Sequence, residues 1–284
     1  MAKKPEKKEV ETTGHSWDGI QEFNNPLPRW WLWTTYLTII WGIGYMIAYP
    51  AIPLIDSATP GVLGYSSRLE VKADIDEINA QNAPLVDRIN ELELASIAGD
   101  EEVGGFAING GRAVFQTFCS QCHGAGANGA VGYPSLIDDD WLWGGTIDDI
   151  HLTISHGIRY ESDLDTRISE MPAFGEFLSK EEIGSLVQYV GSFSSLNGAV
   201  ATEEGETLFL DNCAACHADD GTGDPFVGAP NLTDAIWLYG SDEDVLTETI
   251  TYARFGVMPA WSGRLSESQI RQAAVYVHSL GGGE

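Results

Sequence analysis

Hydrophobic residues are arranged along this chain in patterns that predict several helices. The longest apolar stretch, residues 30–49, contains no charged side chain, and a helix of about 20 apolar residues is long enough to cross a bilayer. Residues 66–98 mix apolar with charged positions and predict two short amphipathic helices, broken near Pro84. Two later stretches, 179–190 and 266–277, start with capping-box sequences and continue with apolar residues at helical spacing.

The pattern in the second half of the chain repeats that of the first. Matches occur at offsets of 94, 96 and then 87 residues, so the first copy carries extra residues around 159–167. The matched positions are Phe115 with Phe209, Cys119 with Cys213, Trp141 with Trp237, and Met171 with Met258. We therefore predict the same small helical domain twice. A domain of about 80 to 90 residues has little chain for a hydrophobic core unless a bound group fills it.

All four cysteines lie in two Cys-x-x-Cys-His sequences, at 119–123 and 213–217. This spacing is typical of haem c attachment, in which two thiols form thioether bonds and the next histidine ligates the iron. The predicted attachment residues are Cys119, Cys122, Cys213 and Cys216, and the predicted proximal ligands are His123 and His217. The chain would then carry two covalently bound haem c groups.

Other uses of paired cysteines fit these sequences less well. A zinc site needs further cysteine or histidine ligands at short spacing, and a redox-active dithiol rarely has histidine directly after its second cysteine. Two structural disulfides would account for four cysteines in an exported protein. Residues only three positions apart are poorly placed for such a bridge.

Methionine is predicted to fill the sixth position of each iron. Met171 and Met258 both occur in Met-Pro-Ala, 48 and 41 residues after His123 and His217 respectively. The proline favours a loop over a helix interior, and methionine ligation gives a six-coordinate electron carrier with a raised potential. The alternative is that both methionines fill a hydrophobic core, but the same tripeptide recurs at matching places.

Four further histidines and two prolines bear on the candidate site. His151 and His156 precede Met171, and either would give a bis-histidine iron if it displaced the methionine. We expect these two, with His15 and His278, to be ordinary polar residues. Pro134 and Pro230 follow the two cysteine motifs in the loop where such a domain sets a carbonyl against the proximal histidine, which would fix the imidazole tautomer.

The net charge of −27 lies entirely beyond residue 29, where ten basic residues are outnumbered by thirty-seven acidic ones. A field of this sign repels nucleic acid and attracts a basic partner protein at rates that depend on salt. The same acidity would also serve to keep a periplasmic surface soluble. Charge excludes nucleic acid as a partner but does not identify the protein partner.

Basic residues are concentrated before the apolar stretch 30–49. They are Lys3, Lys4, Lys7, Lys8 and Arg29, whereas only Arg68 lies in the twenty residues that follow. This asymmetry predicts a cytoplasmic amino terminus, one span of a bacterial inner membrane and a periplasmic remainder. A cleaved signal peptide fits poorly, because twenty-nine residues precede the stretch and no small-residue cleavage site follows it.

The predicted fold is mainly α, with one amino-terminal transmembrane helix followed by two tandem class I cytochrome c domains. The divisions are a cytoplasmic segment 1–29, the transmembrane helix 30–50, a partly helical connecting segment 51–104, and cytochrome c domains at 105–197 and 198–284.

Residues ahead of the apolar stretch narrow the class of cytochrome. His15-Ser16-Trp17-Asp18-Gly19-Ile20 and Asn24-Asn25-Pro26-Leu27-Pro28-Arg29-Trp30-Trp31 resemble the signature of the dihaem cytochrome c subunit, subunit III, of cbb3-type cytochrome c oxidases. The two cysteine motifs and the two Met-Pro-Ala loops follow in that family's order, so the likeness covers nearly the whole chain.

This resemblance implies a role in electron transfer. Such a subunit takes electrons from a periplasmic or membrane cytochrome c donor and passes them to a monohaem cytochrome c subunit, and so to the catalytic haem–copper subunit. His123 and Met171 would hold the first iron, and His217 and Met258 the second. We expect no oxygen-reducing site in this chain. The alternatives are a free-standing membrane-tethered dihaem carrier and a dihaem peroxidase or sensor, which needs one displaceable sixth ligand.

Overall fold

The computed structural model describes residues 10–283, which are mainly helical, as predicted. The strands are β1 (Thr12–Trp17) and β2 (Ile20–Phe23), and the helices are α1 (Arg29–Ala48), α2 (Ser67–Glu91), α3 (Gly104–Val114), α4 (Ser120–His123), α5 (Ile147–His156), α6 (Lys180–Phe193), α7 (Glu203–Asn212), α8 (Ala214–His217), α9 (Glu243–Tyr252) and α10 (Glu267–His278). Short 3-10 turns occupy Leu94–Ser96, Phe174–Glu176 and Leu196–Gly198, and a π-helical turn occupies Phe115–Cys119. The four lysines predicted to set the membrane orientation lie outside the described residues.

Two compact units make up the chain, and they divide between Gln81 and Asn82. In the first unit, β1 and β2 form an antiparallel hairpin that the helical patterns did not predict. Its turn residues, Asp18 and Gly19, have φ of 51° and 83°. Two left-handed residues at this place make a type I′ turn, whose twist matches that of the two strands.

Helix α1 covers nearly all of the predicted apolar stretch, and none of its side chains is buried. Tryptophan, tyrosine and threonine make up much of its sequence, and they are less apolar than leucine or isoleucine. Within residues 10–283, no helix is both long enough and apolar enough to cross a membrane.

The predicted break near Pro84 is wrong, because α2 continues through it from Ser67 to Glu91. A proline removes one backbone hydrogen bond from a helix, while those on either side remain. Packing holds the end of the helix, since Ile89 is fully buried in a hydrophobic core. The guanidinium of Arg271 also donates a hydrogen bond of 3.0 Å to the Ile89 carbonyl.

In the second unit the two repeats exchange their terminal helices. Helix α3, which opens the first repeat, packs on α10, which closes the second, while α6 packs on α7. Both crossings need a glycine. A side chain at Gly111 would overlap the backbone of Gln272, and a Cβ at Gly205 would lie 2.6 Å from the Ser185 carbonyl oxygen. Gly104, Gly105, Gly110 and Gly111 all lie in helix α3.

Matching aromatic pairs occupy the two crossings. Phe115 contacts Tyr276 with ring centroids 5.6 Å apart, and Phe209 contacts Tyr189 at 5.4 Å. Each pair takes one residue from each repeat, and both phenylalanines are fully buried. The second unit thus has two hydrophobic cores, and each combines segments of both repeats. The domain divisions 105–197 and 198–284 remain predictions from the sequence repeat. The two hydrophobic cores do not follow these divisions, because each core contains segments of both repeats.

Candidate functional site

The two cysteine motifs lie on short helices that end at the proximal histidines. Helix α4 ends at His123 and α8 ends at His217. The residue after each histidine has a left-handed backbone, with φ of 78° at Gly124 and 62° at Ala218. The chain therefore turns sharply after each motif and begins a loop that returns to the same histidine. None of the four cysteines forms a disulfide.

A backbone carbonyl holds each histidine, as predicted. The Nδ1 atom of His123 is 2.9 Å from the Pro134 carbonyl oxygen, and Nδ1 of His217 is 3.1 Å from that of Pro230. A carbonyl only accepts, so Nδ1 must carry the proton and Nε2 is left to bind a metal. Burial lowers the pKa of both imidazoles, although the carbonyl hydrogen bond opposes this. Both histidines are therefore held in the neutral form that an iron ligand needs.

Glycine is required where the returning loop passes the motif. Gly129 has φ of 70°, and a Cβ there would lie 2.5 Å from the Tyr133 carbonyl oxygen and 2.6 Å from the Ser135 nitrogen. Gly223 has φ of 80°, and its Cβ would lie 2.5 Å from the Ala229 carbonyl oxygen. These glycines let the loop fold tightly enough to place the proline carbonyl on the histidine.

The methionines lie close to the motifs of the opposite repeats. Met171 lines a cavity of about 450 Å³ together with Cys213, Cys216 and His217 of the second motif. Met258 packs against the same hydrophobic core as Cys119 of the first motif. The pairing implied by the resemblance, in which each methionine serves its own repeat, stays a prediction, and this placement instead favours the opposite pairing.

Two crossing segments cause this exchange. Residues 157–170 leave α5 and lead to the Met171 loop beside the second motif, and residues 253–257 lead back to the Met258 loop. Where the two segments meet, they are joined by a pair of backbone hydrogen bonds. The Ile158 nitrogen donates to the Met258 carbonyl at 2.9 Å, and the Met258 nitrogen donates to the Ile158 carbonyl at 3.0 Å. The extra residues of the first repeat thus form the longer of the two connections.

The donors at both sites fit a covalent haem. Burial, and secondarily the neighbouring thiol, raise the pKa of Cys119 and Cys213 to about 11, so both are uncharged thiols at neutral pH. The cavity beside the second motif also has largely apolar walls, including Phe174, Phe209 and Leu246. An apolar cavity with thiols on one side, and with a neutral imidazole and a thioether at its walls, suits a porphyrin that is bound through its edge and its iron.

Sequence reasoning missed two arginines that occupy equivalent places four residues before each methionine. The Arg167 guanidinium lies 5.1 Å from the Trp143 ring and donates to Thr153 on α5. The Arg254 guanidinium lies 4.6 Å from the Tyr239 ring and donates to Thr249 on α9. The signal was present, because the offset that aligns the methionines also aligns the arginines.

Two of the other histidines have carboxylate partners. The His151 Nε2 lies 3.0 Å from Oε1 of Glu267, and Nδ1 of His156 lies 3.2 Å from both carboxylate oxygens of Asp163. His15 is exposed on β1, and His278 ends α10. The contacts of His151 and His156 agree with their expected role as ordinary polar residues.

Two histidines that are fixed by carbonyls beside paired thiols, in one helical unit, define a c-type cytochrome. A family model described as cytochrome c oxidase, cbb3-type, subunit III matches residues 106–190 and again 200–277. A second model, the N-terminal domain of cytochrome oxidase-cbb3, FixP, matches residues 9–56. The chain thus belongs to the subunit III family of cbb3-type cytochrome c oxidases and contains two tandem cytochrome c domains of that family.

Full-length relatives agree with this assignment. The chain is 56% identical to the cbb3-type cytochrome c oxidase subunit CcoP of Cereibacter sphaeroides, over the whole of both chains. It is 52% identical to subunit CcoP of Rhodobacter capsulatus, again over both whole chains. It is 49% identical to subunit FixPc of Rhizobium leguminosarum bv. viciae, over 96% of each chain.

Proposed function

We propose that this chain carries electrons from a cytochrome c donor into a cbb3-type terminal oxidase through two covalently bound haem c groups. The observation that carries the proposal is that two complete attachment sites, each with a carbonyl-held neutral histidine, lie in one compact unit. The partners are a periplasmic or membrane cytochrome c as donor, and the monohaem cytochrome c subunit and the catalytic haem–copper subunit as acceptors. This chain would conduct electrons within the oxidase.

The residues divide this work between attachment and ligation. Cys119 and Cys122 would hold one porphyrin, with His123 and Met258 as iron ligands. Cys213 and Cys216 would hold the other, with His217 and Met171 as ligands. When bound, haem c supplies a one-electron iron couple, and methionine ligation raises its potential. The protein keeps each imidazole neutral and oriented.

The exchange of segments supports electron transfer between the two sites. The loop that carries the Pro134 carbonyl lines the same cavity as Cys216 and His217 of the second motif. Gly132 donates a backbone hydrogen bond of 2.9 Å to the Leu238 carbonyl. The surroundings of the two motifs are thus in direct contact, and a rigid contact of this kind keeps the distance between two redox centres constant.

Membrane attachment is proposed for α1. Its twenty residues expose apolar side chains on all sides, none is buried, and aromatic residues occur near both ends, where amphipathic rings favour the membrane–water interface. The amino terminus would lie in the cytoplasm and the cytochrome domains in the periplasm, giving a single-pass protein of the bacterial inner membrane. Alkaline phosphatase fused after Gly64 should then be active, and the chain should remain in membranes after alkaline extraction. A freely soluble chain would contradict this proposal.

Purification of the chain from its native membranes in mild detergent tests the function. We expect haem b and copper to copurify with haem c, and oxygen uptake when reduced cytochrome c is added. A pyridine haemochrome spectrum with metal analysis should give two haem c groups per copy of this chain, once the haem c of the monohaem subunit is subtracted. Haem c alone, without copper, would instead indicate a free-standing carrier.

A further inference from the structure

The guanidinium of Arg159 lies at the junction between the two crossing segments. Its Nε donates to the Ser169 carbonyl at 2.5 Å, and its Nη1 donates to the Gly256 carbonyl at 3.1 Å. It also lies over two aromatic rings, 5.5 Å from the centroid of Trp143 and 5.6 Å from that of Phe255. One arginine head is therefore fixed in place by both segments.

This cation has no carboxylate within ion-pair distance among residues 10–283, although the chain has a net charge of −27. Three other partly buried arginines do have one: Arg167 with Asp149, Arg254 with Glu248, and Arg271 with Glu267. Glu170 lines the same cavity but lies beyond that distance from Arg159. A half-buried guanidinium is normally paired with an anion, so the missing partner points to a ligand.

Arg159 faces the place where that ligand would lie. It lines the cavity that also contains Met171, Cys216 and His217. Its backbone has φ of 54°, a conformation that arginine rarely adopts and that neighbouring contacts must maintain. It lies at the start of the extra residues of the first repeat, so it has no counterpart in the sequence of the second repeat.

A guanidinium held by backbone carbonyls, with N–H groups remaining, recognises a carboxylate. The porphyrin of haem c carries two propionate carboxylates. We propose that Arg159 is a positioning residue that binds a propionate of the haem attached at Cys213 and Cys216. This inference rests on the haem c binding that is proposed above.

Charge gives the expected direction of its effect. Oxidised iron carries one more positive charge than reduced iron, and a nearby cation disfavours that form. Arg159 should therefore raise the potential of the haem that fills its cavity. Its removal should make that haem harder to reduce and leave the other haem nearly unchanged.

Midpoint potentials of the purified holoprotein, measured by spectroelectrochemistry at one pH, test this proposal. Arg159→Gln keeps a polar head for the carbonyls but loses the charge, and we expect it to lower one potential by about 60 mV, a tenfold change in the reduction equilibrium. Arg159→Lys keeps the charge and should largely retain the potential. Arg112→Gln is the matched control, because Arg112 also lies over an aromatic ring but is exposed and is not part of the cavity wall.

Haem content separates failure of this inference from failure of the proposed function. If the wild-type chain binds two haem c groups and Arg159→Gln leaves both potentials unchanged, the inference is overturned while the proposed function stands. An equal fall in Arg112→Gln would also overturn it, since the effect would then be one of net charge. If Arg159→Gln does not bind haem, Arg159→Lys decides by resonance Raman spectroscopy. A shifted propionate bending band supports the contact, and an unchanged band contradicts it.

Discussion

At the scale of single residues, the site depends on a backbone carbonyl that is aimed at each histidine. The Pro134 carbonyl reaches His123 only because the loop that starts at Gly124 folds back at Gly129. The sequence predicted this contact, because a Gly-x-Pro triplet follows both motifs. The arginines beside the methionines were missed, because charged residues near a loop are usually solvated, although the offset that aligns the methionines also aligns Arg167 with Arg254.

Gly129→Ala should disturb the first site. Its φ of 70° and the Tyr133 carbonyl oxygen 2.5 Å from the new Cβ both oppose a side chain there, so we expect a loss of about 2 kcal/mol or more in the free energy of unfolding. Chemical denaturation measures it. Gly105→Ala is the control, because Gly105 lies in α3 with open space around it, and there the change should be neutral or stabilising by about 0.5–1 kcal/mol. Equal losses in both variants would contradict this account of the loop.

Asp140 should make stability depend on pH. Burial, and then the charges of Asp234, Asp138 and Asp139, raise the pKa of its carboxyl to about 6. The folded state therefore binds this proton more tightly than the unfolded state, and the stabilisation present below about pH 4 is lost as the pH rises through about 6. Asp140→Asn should be more stable than wild type at pH 7, by about 1 kcal/mol after allowance for partial exposure.

Urea denaturation of Asp140→Asn and wild type at pH 4.5 and pH 7 measures this difference. Asp211→Asn, on the exposed surface of α7, removes the same charge and is the control. An advantage of Asp140→Asn that is as large at pH 4.5 as at pH 7 would show that the pKa of Asp140 is not the cause.

At the scale of helices and strands, local sequence signals predicted individual elements better than they predicted which helices pack together. Both capping boxes form as predicted, at Ser179 and Ser266. The hairpin had a usable signal, an Asp-Gly pair between apolar residues, which helical patterns alone overlook. The break at Pro84 was wrongly predicted, because packing of the helix end outweighs the loss of one hydrogen bond.

The helix exchange could not be predicted from local sequence. The two crossings use equivalent residues, Gly111 against Gln272 and Gly205 against Ser185. Because the repeats are alike, a helix can pack equally well on the partner helix in its own repeat and on the equivalent helix in the other repeat. Only the lengths and paths of the connections distinguish the two arrangements, and neither is encoded in a short pattern.

At the scale of the whole molecule, the exchange makes the two cytochrome repeats one folding unit. Residues 105–197 expressed alone, with haem attachment, would leave α3 without α10 and α6 without α7. We expect this fragment to be unstable or to form exchanged dimers, whereas residues 82–284 should fold as a monomer. Size-exclusion chromatography and thermal unfolding monitor both. A stable monomeric fragment with one haem and methionine ligation would show that each repeat folds by itself.

The most direct test of the account is to establish which methionine ligates which haem. Replacing Cys119 and Cys122 by alanine leaves one haem, at the second motif, and Met171→His or Met258→His is then added. We predict that Met171→His abolishes the methionine-to-ferric-iron charge-transfer band and lowers the potential, while Met258→His leaves both unchanged. The opposite result, with Met258→His alone removing the band, would contradict the exchanged arrangement.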